Sequence, residues 1–326
     1  MSRAAAFLAA VLCLALIPAA QAGWVSREAA VMGTSVRVTA YHEQDSRAAR
    51  AVAAVLAELR RIDAAMSPYR PDSEISRVNA RAAREPVMVS REFAEVLARA
   101  REFSELTGGA FDITYASVGH LYRFRDRRRP QAEAIQQRLP AVDYRHVLVN
   151  PDGPSVRFRQ PGVRIDLGGI AKGYAVERGT QVLREHGIAH GQVSAGGDTR
   201  LLGDRRGRPW VVGIQDPRDA DAMVARIPVV DEAVSTSGDY ERYFDERGVR
   251  YHHILDPDTG DSARSVRSVT VLGPDATATD ALSTSVFVLG PERGLALVET
   301  LEGFEAVVVD AAGRMRFSAG LRDLAD

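Results

Sequence analysis

Hydrophobic positions along this chain switch between a two-residue and a 3.6-residue period in no fixed order. Residues 35–41 alternate, with Val36, Val38 and Ala40 on one face, and predict a half-buried strand. Residues 47–65 place Val52, Val55, Leu56, Leu59 and Ile62 at helical spacing. Pro68, Pro71 and Asp72 end that helix in a polar loop. Ser90 has N-cap chemistry for a second helix, with Phe93, Val96, Leu97 and Phe103 facing inward and Gly108-Gly109 closing it. A third helix is predicted from Ile170 to about His186, stopping at Gly187. Short strands are predicted over residues 192–195, 210–214, 225–230 and 249–255, with a turn by composition at 256–260. Residues 266–272 form a further strand and 275–289 a helix ended by Gly290. Pro291 opens another helix, and 304–310 is a late strand. Irregular alternation of this kind predicts an α+β fold. No linker, low-complexity stretch or short-period repeat divides the chain.

The first 22 residues follow a different logic. Arg3 supplies a positive start, residues 4–17 an apolar run, and Ala20-Gln21-Ala22 a small-x-small cleavage site, the layout of a removable export signal. The apolar run is short for a membrane span. The only cysteine, Cys13, lies inside it behind Leu12, which is not the small residue a lipoprotein site needs, and no twin-arginine pair precedes the run. The mature chain is therefore expected to start near Gly23 and to be soluble in the periplasm. Residues 23–326 would form one domain, or two intertwined lobes, without a thiol. Disulfides, thiol catalysis and cysteine-bound zinc drop out.

The net charge of −1 argues against nucleic-acid binding as the main role. The basic run from Arg123 to Arg129 reads as a solvated loop, ahead of a patch for an acidic partner. The lysine usage is more informative: Lys172 is the only lysine, against 41 arginines. An ammonium is a compact point charge and a guanidinium a wide planar fork, so the surviving lysine marks a place where the first is needed. Asp166, Gly168, Gly169 and Lys172 fall together where a strand is expected to give way to a helix. That arrangement brings backbone N–H groups and a cation up to a phosphate.

Five other segments carry candidate chemistry. Asp280 and Thr284 stand four apart on one helix face, with Asp275 or Thr277 near its start. They could hold Mg²⁺ by oxygen ligands, or simply form a polar face. Residues 233–240 form a hydroxyl-rich turn suited to phosphate or ribose oxygens. His252 and His253 on one strand would face opposite sides, so one can reach a cleft, and the pair is a poor zinc chelate. Tyr69, in the polar loop 66–79, could stack on a flat ring or be an ordinary turn tyrosine. Asp198 after Ala195-Gly196-Gly197 is a turn aspartate by default. There is no Walker A pattern, no nucleophile elbow and no His-Glu-x-x-His.

Taken in order, eight short segments resemble the ApbE-type FAD:protein FMN transferases. They are Met32-Gly-Thr34, 66–79, Gly109-Ala-Phe-Asp112, 165–174, Ala195-Gly-Gly-Asp198, Ser235-Thr-Ser-Gly-Asp239, His253-Ile-Leu-Asp-Pro257 and Ala278-Thr-Asp-Ala-Leu-Ser-Thr284. The resemblance implies a single two-lobed α+β domain with FAD in the cleft between lobes. It implies exported, Mg²⁺-dependent transfer of FMN from FAD to a Thr or Ser hydroxyl of a partner flavoprotein, releasing AMP. The partner would be a membrane-bound respiratory or electron-transfer subunit. By the same resemblance Met32, Tyr69, Ala110, Phe111, Asp112, Asp166, Lys172 and Leu255 would contact FAD. Asp280, Thr284 and the Gly169 carbonyl would hold the metal, and His253 would serve transfer, with Lys172 and Asp280 beside it in catalysis. Asp239 or Asp280 are alternative bases. A Mg²⁺-dependent FAD pyrophosphatase and a flavin carrier without turnover are the competing readings. The chain departs from the family pattern at residues 117–124, where a Gly-Pro-Leu loop is usual, which bears on partner choice more than on chemistry.

Overall fold

The computed structural model describes residues 23–219 and 221–324, so the export signal and Cys13 lie outside the described residues. Strands β1 (Gly23–Val31) and β2 (Thr34–His42) form a hairpin. Helices α1 (Asp45–Met66) and α2 (Glu74–Arg81), the short β3 (Val87–Met88), and helices α3 (Arg91–Leu106), α4 (Ala116–Gly119) and α5 (Ala132–Arg138) follow. Next come β4 (Val147–Asn150), β5 (Ser155–Phe158) and α6 (Ala171–Glu185). The middle of the chain is β-rich: β6 (His190–Ala195), β7 (Asp198–Leu202), β8 (Trp210–Gln215), β9 (Met223–Val229), β10 (Ala233–Gly238), β11 (Tyr243–Glu246) and β12 (Val249–His252). β13 (Val266–Gly273), α7 (Ala276–Leu289), α8 (Pro291–Val298), β14 (Glu305–Asp310) and β15 (Met315–Phe317) complete it.

Eight strands make one antiparallel sheet in the order β1-β2-β6-β7-β10-β13-β14-β15. Helices α1, α6 and α7 pack on it. Val36, Val38 and Ala40 of β2 and Val52, Val55, Leu59 and Ile62 of α1 are fully buried, as the two periodicities predict. Each of these Val, Leu and Ile side chains stabilises the fold by roughly 1.5–3 kcal/mol. The β8–β9 ribbon adds a separate cluster of Trp210, Ile214, Ile227 and Val229 with Leu201, Val234, Leu272 and Val307. The smaller lobe joins α2 and α3 to a three-stranded sheet in the order β3-β5-β4. One core runs through both lobes, from Val38 and Val176 to Phe93 and Phe158. No helix among the described residues is long and apolar enough to cross a membrane.

Four local expectations are corrected. The polar loop 66–79 contains α2, capped by Ser73, whose Oγ accepts from the Ser76 N–H at 3.1 Å. Only Ile75 and Val78 of this helix are buried, too few to show a period beside two prolines. Residues 163–167 run without strand pairing into the turn before α6. The strand at 249 ends at His252. Residues 233–238 are not a turn but β10, a central strand between β7 and β13. Its hydroxyls are used internally: Ser235 Oγ meets Thr279 Oγ1 at 2.8 Å and Ser237 Oγ meets Ser283 Oγ at 2.8 Å. Helix α7 is buried nearly all round, so its hydroxyls do not form a polar face.

Candidate active site

Helix α6 begins where α7 passes closest. A Cβ on Gly173 would lie 2.2 Å from the Ala276 carbonyl oxygen and 2.5 Å from the Asp280 Cβ, so only glycine allows this approach. The approach joins two polar groups. The Gly173 N–H, one of the unpaired donors of a helix start, donates to Asp280 Oδ2 at 2.8 Å. Lys172, one residue earlier, donates to Asp198 Oδ2 and stands 3.9 Å from Asp280 Oδ1. Asp198 and Asp280 are almost fully buried, while Lys172 keeps 30% of its side chain exposed.

The electrostatics follow from that packing. Burial and the neighbouring Asp198 raise the Asp280 carboxyl well above the usual carboxylate range, against the opposing pull of Lys172 and the Gly173 N–H. Burial alone would lower the Lys172 pKa, but Asp198 and Asp280 more than offset it and hold the ammonium charged. Two carboxylates face one ammonium in a desolvated group. Asp198 is thus a buried ion-pair partner and not a turn aspartate. Lys172 holds these two carboxylates and keeps part of its ammonium exposed.

Thr284 lies one turn beyond Asp280 on α7, and its Oγ1 is 3.3 Å from Ser237 Oγ. Gly169 sits against it: a Cβ there would meet Thr284 Oγ1 at 3.1 Å and the Phe111 ring at 3.2 Å. A carboxylate, a hydroxyl and a backbone segment therefore converge, a donor set that fits Mg²⁺ completed by water. Among the described residues no group of three or more His, Cys, Asp or Glu side chains could form an all-side-chain cage.

A second cluster lies beside the first. Asp166 Oδ1 accepts from the Gly168 N–H at 2.7 Å, and burial raises its pKa, with the Tyr115 hydroxyl hydrogen-bonded to it and Arg242 opposing the rise. Asn79, near the end of α2, holds this segment by a two-way bond to the backbone of Ile165, at 2.9 and 2.8 Å. His252 packs inward, its Nε2 2.6 Å from the Ala263 carbonyl and its ring against Phe287. His253 behaves differently. Its backbone N–H donates to the Arg242 carbonyl at 3.1 Å, and its Nδ1 is buried with no partner among the described residues. Burial, then the Arg242 charge, push its pKa down to about 3, so the imidazole is neutral. A buried polar atom without a protein partner calls for an explanation such as a bound water, an ion or a catalytic role.

The remaining predicted contacts are scattered in role. Tyr69 is 78% exposed, and its hydroxyl accepts from Arg242 Nη1 at 3.1 Å. Met32 occupies the left-handed turn of the β1–β2 hairpin, whose Thr34 abuts Gly196. Leu255 is buried with Val118 and Tyr122. Phe111 is a core ring stacked edge-on to Phe103, next to the half-buried Ala110. The Asp112 carboxylate turns inward, accepting from Thr114 N–H, Thr114 Oγ1 and Tyr144 N–H at 2.6–2.7 Å. Its burial raises it to about 6, and its oxygens brace the loop. Asp239 is not available as a base, since Arg218 grips it with two bonds of 2.7 Å and Arg250 stands 3.5 Å away. Arg242, Tyr115 and Asn79 are site residues that the pattern of residue types did not single out. With 41 arginines, nothing in the sequence distinguished Arg242.

Comparison with known proteins bears on the whole chain. The sequence model of the ApbE family matches residues 32–308. An FAD:protein FMN transferase of Treponema pallidum is 37% identical over 320 residues, covering 91% of this chain and 88% of its own. The ApbE protein of Thermotoga maritima superposes with a TM-score of 0.86 at 36% identity, over 93% of this chain and 100% of that one. The flavin transferase ApbE of Vibrio cholerae gives 0.82 at 32% identity, over 93% and 99%.

Proposed function

The chain belongs to the ApbE family, with FAD:protein FMN transferases as its relatives, and from that premise we propose that it is such a transferase and moves the FMN half of FAD onto a Thr or Ser hydroxyl of a partner flavoprotein, releasing AMP. The observation that carries this reading is the desolvated group of Lys172, Asp198 and Asp280 beside Thr284 and Gly169. A non-catalytic carrier has no use for buried charge of this kind. Phosphoryl transfer, by contrast, depends on positioned charge more than on covalent machinery.

Asp280, Thr284 and the Gly169 carbonyl would hold Mg²⁺, and the bound ion would supply charge neutralisation for a pyrophosphate. Lys172 keeps Asp198 and Asp280 in place for this. His253, whose Nδ1 has no partner among the described residues, would take the proton of the acceptor hydroxyl. The hydroxyl oxygen bonds to the FMN phosphorus as the bond to the AMP oxygen breaks, and AMP carries the electron pair away. The exposed Tyr69 ring offers a stacking face for a flat ring, and the cleft between the lobes is where FAD would lie. We place the protein in the periplasm, with cleavage after Ala22, on the strength of the leader sequence.

The test incubates the protein with FAD, Mg²⁺ and a membrane flavoprotein subunit bearing an Asp-x-x-(Ser/Thr)-Gly-Ala-(Ser/Thr) segment. A covalent fluorescent band on a denaturing gel, with one AMP per flavin attached, is the expected result. AMP and free FMN without a band would instead identify a pyrophosphatase, and FAD binding without AMP a carrier. Mass spectrometry of the exported protein should show Gly23 at the N-terminus.

A further inference from the structure

The site has a shortage of available positive charge. Lys172 is bonded to Asp198 and faces Asp280. Arg218 and Arg250 are taken up by Asp239, and Arg264 by Asp261 at 3.0 Å. Arg242 is the exception. Among the described residues no carboxylate lies within ion-pair distance of its guanidinium, and its one side-chain hydrogen bond goes to the neutral Tyr69 hydroxyl at 3.1 Å. A guanidinium carries five N–H donors, so most of its capacity is unspent.

Its position is as telling as its lack of a partner. Arg242 sits on the turn between β10 and β11, and its carbonyl accepts the His253 N–H, so it shares an anchor with the imidazole at the site. Its side chain reaches Tyr69, which lies 173 positions earlier on the loop after α1. Its charge acts on Asp166, Tyr115 and His253 together. A cation held over these groups by a single neutral hydroxyl is poised to exchange that weak partner for a stronger one. A phosphate oxygen is such a partner, and the planar fork can grip two of its oxygens at once.

We propose that Arg242 is the anion clamp of this site: its guanidinium leaves the Tyr69 hydroxyl and closes on a phosphate of the incoming flavin nucleotide. The inference rests on the reading of the site as an FAD site, and it moves the phosphate-binding role from Lys172 to Arg242. Release of Tyr69 by the same movement frees its ring to meet the ligand.

The experiment measures dissociation constants of wild type, Arg242→Gln, Arg242→Lys and Tyr69→Phe for FAD, FMN and riboflavin, by quenching of flavin fluorescence. Thermal melting serves as the folding control. Losing a charge-assisted hydrogen bond corresponds to about 10- to 100-fold weaker binding. Arg242→Gln should show that loss for phosphorylated flavins and leave riboflavin within about twofold, and its FAD affinity should depend less steeply on salt. Arg242→Lys should recover part of the loss, and Tyr69→Phe should leave the gap between FMN and riboflavin intact. A loss for FAD with FMN unchanged also supports the clamp and puts it on the adenosine-side phosphate. Equal losses for FMN and riboflavin would overturn it, since Arg242 would then merely brace Tyr69, and so would no loss at all. Wild-type protein that binds none of the three flavins would sink the flavin reading itself, and this inference with it.

Discussion

Lys172 shows what a single residue is asked to do here. Its ammonium balances two carboxylates that are almost fully buried, so removing it leaves uncompensated charge in the protein interior. Lys172→Met should cost about 3–5 kcal/mol of stability along with turnover. Lys172→Arg should also lose activity, because the wider fork must enter a space shaped by the α6–α7 contact at Gly173. Chemical denaturation with parallel AMP-release assays checks both, and a fully stable, fully active Arg variant would show that charge alone suffices. His253 makes a second residue-scale prediction. Its pKa falls from 6.5 to about 3 on folding. Between those values the unfolded chain binds a proton that the folded chain does not, so this group's contribution to stability is lost as pH falls below the unfolded value. Asp112 and Asp280 have raised pKa values and act in the opposite sense, so the wild-type profile alone is mixed. The difference between wild type and His253→Asn isolates the imidazole. The wild type should lose more melting temperature from pH 7.5 to pH 5 than the variant does, and parallel curves would refute the buried, neutral histidine.

At the scale of elements, the site is a product of two helix contacts. Helices α6 and α7 meet at Gly173, where an added methyl has backbone on one side and the Asp280 side chain on the other. Gly173→Ala should therefore destabilise by about 1–3 kcal/mol or more through overpacking, and should lower turnover by displacing Asp280. A variant with unchanged melting and turnover would mean that the helices separate without cost. Helix α2 contributes differently, since its Asn79 fixes the Ile165 backbone next to Asp166. Loss of its Ser73 cap in Ser73→Ala is expected to cost roughly 1 kcal/mol. Asn79→Ala, which leaves the helix but frees the segment, should reduce turnover more than stability. Equal effects of the two substitutions on activity would argue against a positioning role for Asn79.

At the scale of the molecule, a single core passes from the eight-stranded sheet through the helices into the smaller lobe. The two lobes are expected to unfold in one calorimetric transition, and two resolved transitions would contradict the shared core. Ligand binding to this unit stabilises it by mass action, so FAD with Mg²⁺ should raise the melting temperature and EDTA should remove much of that gain together with AMP release. Unchanged AMP release in EDTA would dispose of the metal site assigned to Asp280, Thr284 and Gly169.

Much of this architecture was readable from residues alone because it rests on local periodicity. Val36, Val38 and Ala40 on one face, the α1 repeat, the Ser90 cap and the α7 boundaries at Asp275 and Gly290 each depend on neighbours a few positions away. The family was legible too, because short segments with fixed residue types recur in order along the chain. Pairings between distant segments were not legible. Residues 233–238 look like a turn until β7, β13 and the hydroxyls of α7 are placed around them. Asp198 looks like a turn residue until Lys172, 26 positions earlier, reaches it. Arg242 is one arginine among 41 until the fold leaves it with no carboxylate in ion-pair range among the described residues and within reach of Tyr69. A side chain's charge is written in the sequence, but whether another group has already taken up that charge depends on which distant segments the packing of the core brings within bonding distance.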